Sequence, residues 1–468
     1  MFSGENEVQC VKRKLLLEAL GTFRYSTKAV SIEESEYFKL TEPSLRPRVV
    51  DQSNNSSATI KVSKFLSFCL EEVGAKRYIM EEVADIVIVG AGIAGLTTSL
   101  GLHRLGIRSL VLESSETLRI TGFALTTWSN AWRALDAVGI GHSLRQQHQL
   151  IESGEGEIRC VRRKVLLEEL ERELPSGTIR YSSKVVSIED ESRHLKLVHL
   201  ADGTVIKTKV LIGCDGVNSV VSKCLGFKPP SFTGRSAIRG YTEFKGGHGF
   251  EPKYMQFVGK GTRSGFFPCD DQIVYWYFTW SSTSQELEDN PAKMKQFVLS
   301  KRHNLPDRIK AVIENTQLDS ISSSPLRYRH PWEVLWGNIS KGNVCVAGDA
   351  LHPMTPDLGQ GGCAALEDGI VLARCIAAAL MKTGNDDDNN DEDRVVMFER
   401  IEMGLKKFGK KRRWRSIDLI SIAYMIGYIQ ESEGKIMNFL RDKILSSYIA
   451  GLLMKKSDFD CGKLTTIS

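Results

Sequence analysis

The sequence predicts an α/β protein in which a Rossmann-type domain is interrupted by an antiparallel β-sheet domain and followed by a helical carboxyl-terminal segment. Three observations carry this. Residues 84–114, "ADIVIVGAGIAGLTTSLGLHRLGIRSLVLES", run through an apolar strand, a glycine turn, a helix and a second apolar strand, a βαβ unit of about 30 residues. Between Phe232 and Trp280, "YMQFV", "GFFPC" and "IVYWYFTW" read as short aromatic strands parted by glycine turns. From Gly342 the α/β texture returns with "NVCVAGDA" and the helical pattern "AALEDGIVLARCIAAAL". The first domain is therefore expected to be discontinuous, over 84–230 and 331–384, around a β-rich domain at 231–330, with helices over 394–468.

Ahead of this lies a repeat. "VQCVKRKLLLEAL" at Val8 returns as "IRCVRRKVLLEEL" at Ile158, and "GTFRYSTKAVSIEE" at Gly21 as "GTIRYSSKVVSIED" at Gly177, so residues 1–40 partly duplicate 153–190. Repeat architectures need at least about three stacked units to bury a continuous core, which excludes a solenoid. The first copy has no glycine turn with which to build a nucleotide site, and it is expected to be loosely docked or disordered. Residues 41–80, rich in Pro, Ser and Asn, read as a disordered linker.

A chain of 468 residues buries ample core without a disulfide or metal staple. A net charge of +5 is small for this size and gives no reason to invoke nucleic acid. The ten cysteines show no CxxC pair and no His at metal-ligand spacing, which points to reduced thiols and no metal site. The start "MFSGENEVQC" is acidic and lacks the apolar run of a signal peptide. The apolar stretch Leu419–Ile429 falls short of the roughly 18 residues that span a bilayer. A cytoplasmic protein with no transmembrane segment is expected, a plastid being the alternative. The basic cluster "KKFGKKRRWR" at Lys406 reads as a solvated helix face in preference to an anionic-surface site.

The glycines carry the chemistry. Gly90, Gly92 and Gly95 form GxGxxG between a strand and a helix, and Glu113 closes the next strand. Gly90 permits the turn, Gly92 lets a pyrophosphate approach the backbone, Gly95 lets helix and strand pack, and Glu113 would accept from a ribose hydroxyl. A second cluster, "GKGTRSG" at Gly259, lies between aromatic strands with no helix after it and reads as a hairpin turn. Two more apolar strands end in Asp215-Gly216, within "VLIGCDGVNSVV", and in Gly348-Asp349, within "VCVAGDALHPMTPDLGQGGCAALED".

With GxGxxG, these two motifs resemble the three fingerprints of the flavoprotein aromatic hydroxylases, the single-component FAD monooxygenases. "LTTWSNAWRALDAVGI" and the tail "NFLRDKILSSYIAGLLMKKSDFDCGKL" are similar to a plant group of salicylate-hydroxylase-like members. The resemblance implies an FAD-binding domain, NAD(P)H as co-substrate, and hydroxylation of an aromatic or similar small molecule by O2 through a flavin C4a-hydroperoxide. It implies that Asp349 binds the ribitol or ribose region and that Gly359, Gly361 and Gly362 set a helix amino end against the flavin. Pro356, with Pro353, would stiffen that approach, and Arg163, in an R-x-x-L motif, would touch FAD. Asp215 and Gly216 join the same cofactor set. His352 reads as structural, and no catalytic side chain, substrate or oligomeric state is assigned. One departure stands out: the middle fingerprint continues S-x-V-R in the family, whereas Val221 is followed here by Ser222 and then Lys223, a less directional cation. The alternatives are an FAD-dependent epoxidase of an alkene such as a carotenoid, or a non-catalytic nucleotide-fold binding protein.

Overall fold

The computed structural model describes residues 81–464, apart from 120–121, 152–155, 260, 282–289, 302–304, 381–390, 432–450 and 453. The duplicate at 1–40 and the linker at 41–80 lie outside the described residues.

The chain runs β1 (Glu81–Val89), α1 (Ile93–Arg104), β2 (Leu110–Leu112), β3 (Ala124–Thr127), α2 (Ser129–Val138), α3 (Gly141–Gln147), β4 (Arg159–Arg162), α4 (Arg163–Arg172), β5 (Ile179–Arg180), β6 (Val185–Asp190), β7 (Lys196–Leu200), β8 (Val205–Gly213) and α5 (Val220–Cys224). An antiparallel insert follows: β9 (Ser231–Glu243), β10 (Met255–Gly259), β11 (Thr262–Pro268), β12 (Ile273–Ser281), α6 (Pro291–Lys301), α7 (Asp307–Asn315) and β13 (Ile321–Tyr328). The chain then returns through α8 (Pro331–Trp336), β14 (Ser340–Lys341), β15 (Val344–Val346), α9 (Gly361–Leu380) and α10 (Asp391–Glu431).

The larger sheet has the order β14-β15-β8-β1-β2-β5, with β6 and β7 as an antiparallel ribbon on β8. β15, β8, β1, β2 and β5 are parallel, so β1 has helices or strands on every side, and Ile86, Val87, Ile88 and Val89 are all buried. A continuous apolar run, not an alternating one, is what such a strand requires. Helices α1 and α9 touch through glycines: a Cβ on Gly101 would lie 2.8 Å from Ala373 Cβ, and one on Gly369 2.6 Å from Thr97 Cγ2. That contact draws the amino ends of both helices toward the same edge of the sheet.

The second sheet, β10-β11-β12-β9-β13, is antiparallel throughout. Side chains alternate between its faces. Phe266, Trp276 and Phe278 bury themselves against Met294, Val298, Ile309 and Val312 of α6 and α7. The glycine cluster at Gly259 is a tight hairpin, with Gly259 opposite Thr262 and Gly261 at φ +62°.

The basic cluster on α10 departs from the expected solvated face. Arg412 is fully buried, 2.5 Å from Asp368 and 2.8 Å from Glu367, and Arg415 donates to Glu367 at 2.7 Å. Arg413 donates to the carbonyls of Val334, Leu335 and Gly337. A buried pair of carboxylates on α9 demands Arg412 and Arg415, and a helix rotation of about 100° per residue puts Arg412 opposite Lys407 and Lys410 of the same run.

Candidate functional site

The carboxyl ends of the parallel strands enclose a cleft of about 370 Å³. Gly90, Gly92, Glu113, Arg163, Asp215, Gly216, Asp349, Gly361 and Gly362 all line it. Gly90, at φ +100°, makes the turn, and a Cβ there would lie 2.5 Å from the Cys214 carbonyl oxygen. Gly95 does not reach the cleft: a Cβ on it would fall 2.0 Å from the Gly90 oxygen, so it serves strand–helix packing. A Cβ on Gly92 meets nothing within 4 Å, because it would project into the cleft at the start of α1. That open approach to backbone N–H groups suits a pyrophosphate.

Glu113 also shapes the turn: Oε1 accepts from the Ser115 N–H at 3.0 Å and the Ser114 hydroxyl at 3.2 Å, while Oε2 accepts from the Ala91 N–H at 2.9 Å and keeps a lone pair for a further donor. Asp215 accepts from the Ser219 hydroxyl at 2.5 Å and the Val220 N–H at 2.7 Å. Burial raises its proton affinity, and these donors only partly offset that. Its carboxylate is thus committed first to holding its own loop.

Asp349 sits on a one-turn 3-10 helix, Gly348–Ala350, in the floor of the cleft, walled by protein but with its side chain open to the cleft. Burial pushes its carboxyl above the usual range, with His352 and then Arg163 pulling the other way. Arg163 starts α4, and its Nε is buried with no hydrogen-bond partner among the described residues. An unpartnered guanidinium, an aspartate and two glycine turns in one cleft match the ribose, pyrophosphate and ring carbonyls of a flavin dinucleotide. Beneath them, Asp368 accepts from the Gly348 N–H at 2.7 Å, His352 Nε2 at 2.6 Å and Arg412 Nε. Burial opposes the Asp368 charge, but Arg412 and then His352 outweigh it and hold the carboxyl at about 2. His352 is fully buried in this support.

At the position where the resemblance implied an arginine, Ser222 stands beside an arginine from elsewhere in the chain. Ser222 Oγ donates to the Ala350 carbonyl, and Arg329 reaches the same place: Nε donates to the Leu351 carbonyl at 2.9 Å, Nη2 to the Ala350 carbonyl at 3.2 Å. Arg329 is 1% exposed, whereas Lys223, the expected replacement, is exposed. A guanidinium can hold two adjacent carbonyls; an ammonium offers no such fork.

A second cavity, of about 650 Å³, lies under the free face of the antiparallel sheet and shares Asp349, Gly361 and Gly362 with the cleft. Pro356 and Gly359 line this one, not the first. The sheet contributes Arg239, Arg263, Phe267, Tyr275 and Tyr277, and a Cβ on Gly265 would collide with the Tyr277 ring at 2.4 Å. Asp357, in the turn Pro356–Leu358, accepts from Arg235 at 2.8 and 2.9 Å and from Arg263 at 2.6 Å. Burial opposes its charge, but Arg263 and Arg235 hold the carboxyl below the usual range. Arg263 Nε donates to the Tyr277 hydroxyl, 2.9 Å away, which lies 2.7 Å from that of Tyr254. Sequence reasoning missed Arg235, Arg263, Asp357 and Arg329. A usable signal was present for two of them: arginine at an inward position of an aromatic strand has to be paired or functional.

Among the described residues no group of His, Cys, Asp and Glu could hold a metal, and no helix is long and apolar enough to cross a membrane. Residues 83–389 match the family model described as "FAD binding domain". The chain is 56% identical over 403 residues to Monooxygenase 2 of Arabidopsis thaliana, covering 81% of this chain and 98% of that protein. It is 25% identical to a salicylate hydroxylase of Sarocladium schorii, covering 73% of this chain and 80% of the other. Among solved structures, Klebsiella pneumoniae HpxO complexed with FAD and uric acid superposes with a TM-score of 0.65 at 20% identity, over 81% of this chain and 96% of that one.

Proposed function

The chain belongs to the FAD-binding-domain family of flavoprotein monooxygenases, and from that premise we propose that it uses NAD(P)H and O2 to hydroxylate an aromatic or similar planar small molecule. The observation that carries this reading is the junction of the two cavities at Asp349, Gly361 and Gly362. Asp349, Gly361 and Gly362, common to both cavities, would hold FAD between them, and the bound cofactor would supply hydride acceptance from NAD(P)H and activation of O2.

The chain's own residues do the rest. Glu113, Arg163 and Asp349 would hold the nucleotide and ribitol portions. The N–H groups of Gly361 and Gly362, at the amino end of α9, would stabilise negative charge on the reduced flavin. Phe267, Tyr275 and Trp128 line the substrate cavity and keep water out. Arg239 donates to Ser324 and has no carboxylate partner among the described residues, so its charge is available to orient a substrate. The Sarocladium relative is a salicylate hydroxylase and HpxO was solved with uric acid, both planar and rich in acceptors, which supports this class.

The test is NAD(P)H oxidation by the purified flavoprotein against a panel of aromatic acids, phenols and alkenes under isotopically labelled O2. A stimulated rate with label in a hydroxylated product is expected. Label in an epoxide moves the reading to the epoxidase, and a chain that holds no flavin is the non-catalytic binding protein.

A further inference from the structure

One face of α10 and the short helix α8 beside it expose an unusual set of side chains. Trp336 is 76% exposed, Trp414 67% and Trp332 52%. Along α10 the exposed positions Lys407, Lys410, Trp414, Ser421, Tyr424 and Tyr428 recur at spacings of three, four or seven, which is one face of a helix. Aromatic rings continue from it onto α8. Tyr424 stacks on Tyr328 at 4.6 Å, Tyr328 meets His330 at 4.7 Å, and His330 stacks on Trp332 at 4.3 Å. Arg413 holds the last carbonyls of α8, which brings the end carrying Trp336 against the turn of α10 that carries Trp414.

The charges here are one-sided. Lys407, Lys410 and Lys411 are exposed and have no ion-pair partner among the described residues. The nearby acids on α10 are largely spoken for: Glu402 pairs with Lys406 and Asp418 with Lys456. Large exposed aromatics beside unpaired lysines meet the demands of a lipid headgroup layer. Trp and Tyr favour that boundary, lysine stems lie along apolar surface with the ammonium outward, and an anionic leaflet attracts the charge.

We propose that this face docks the protein peripherally on an anionic lipid bilayer, lying on the surface without crossing it. The proposal is independent of the reaction. A wholly solvated face would keep the lysines but has no use for three exposed tryptophans, and a nucleic-acid site would be insensitive to lipid.

The test is co-sedimentation of the full-length, flavin-loaded protein with phosphatidylcholine vesicles, with and without about 30 mol% phosphatidylserine. The protein should pellet only with the anionic vesicles and should be released by about 0.5 M salt. Two variants, Trp336→Ala with Trp414→Ala, and Lys407→Glu with Lys410→Glu and Lys411→Glu, should each lower the bound fraction by about fivefold or more while keeping flavin content and melting temperature. No pelleting, equal pelleting on neutral vesicles, or binding unchanged in both variants overturns the proposal. So does dimerisation in gel filtration that the tryptophan variant abolishes, since the face would then be an interface between copies.

Discussion

The cleft beside α1 and the cavity under the second sheet meet at Asp349, Gly361 and Gly362, yet they are made of opposite materials. The cleft is largely backbone: glycine turns at Gly90 and Gly348 with positive φ, the open approach at Gly92, and the amino ends of two helices. The cavity is largely side chain, with Arg239, Tyr275 and Tyr277 from the sheet, Trp128 from before α2 and Gln430 from α10. Backbone sites need particular residues at particular spacings, so they leave motifs. Side-chain sites need only convergence in space, which many sequences achieve.

This contrast can be broken by substitution. The largest effect is expected from Asp349→Ala at the junction. The purified variant should carry little or no flavin while its far-ultraviolet circular dichroism stays unchanged, because the side chain faces the cleft and removes no packing. Full flavin content would mean the cofactor lies elsewhere.

On the cavity side, Asp357→Asn removes a buried carboxylate that answers two arginines, a loss of about 3–5 kcal/mol. The melting temperature should fall by several degrees. Because the folded-state affinity of Asp357 for protons is lowered, its contribution is present above the ordinary carboxylate range and disappears as pH falls through its depressed value. Melting curves of the two proteins should therefore converge only in acid; a constant gap would assign the effect to shape alone.

On the cleft side, Glu113→Ala should weaken flavin affinity by about 1–3 kcal/mol, since it loses both a ribose acceptor and a brace on the glycine turn. Titration of apoprotein with FAD measures this, and an unchanged dissociation constant would remove Glu113 from the site. The smallest effect belongs to the repeat. Arg163→Ala should reduce flavin binding, whereas Arg13→Ala, the same change in the first copy, should leave it unaltered.

What was legible follows from the same division. GxGxxG, Asp215-Gly216 and Gly348-Asp349 were each local, and each fixed a strand end of the parallel sheet. The alternation in "IVYWYFTW" showed a sheet but not which face met the cavity; α6 and α7 decide that by covering Trp276 and Phe278. Arg329 could not be foreseen, because the carbonyls it holds are about 20 residues away in sequence and the serine it touches about 100. Nor could Arg412, whose basic neighbours disguise a buried ion pair with Asp368 and Glu367 as part of a solvated run.

The central claim is that the backbone-built cleft holds one FAD. Its direct measurement is the ratio of flavin absorbance near about 450 nm to protein in the purified chain, after reconstitution with excess FAD and removal of the unbound cofactor. A ratio close to one flavin per chain, lost in Asp349→Ala, is the result expected. A colourless protein that stays folded and takes up no flavin would contradict it.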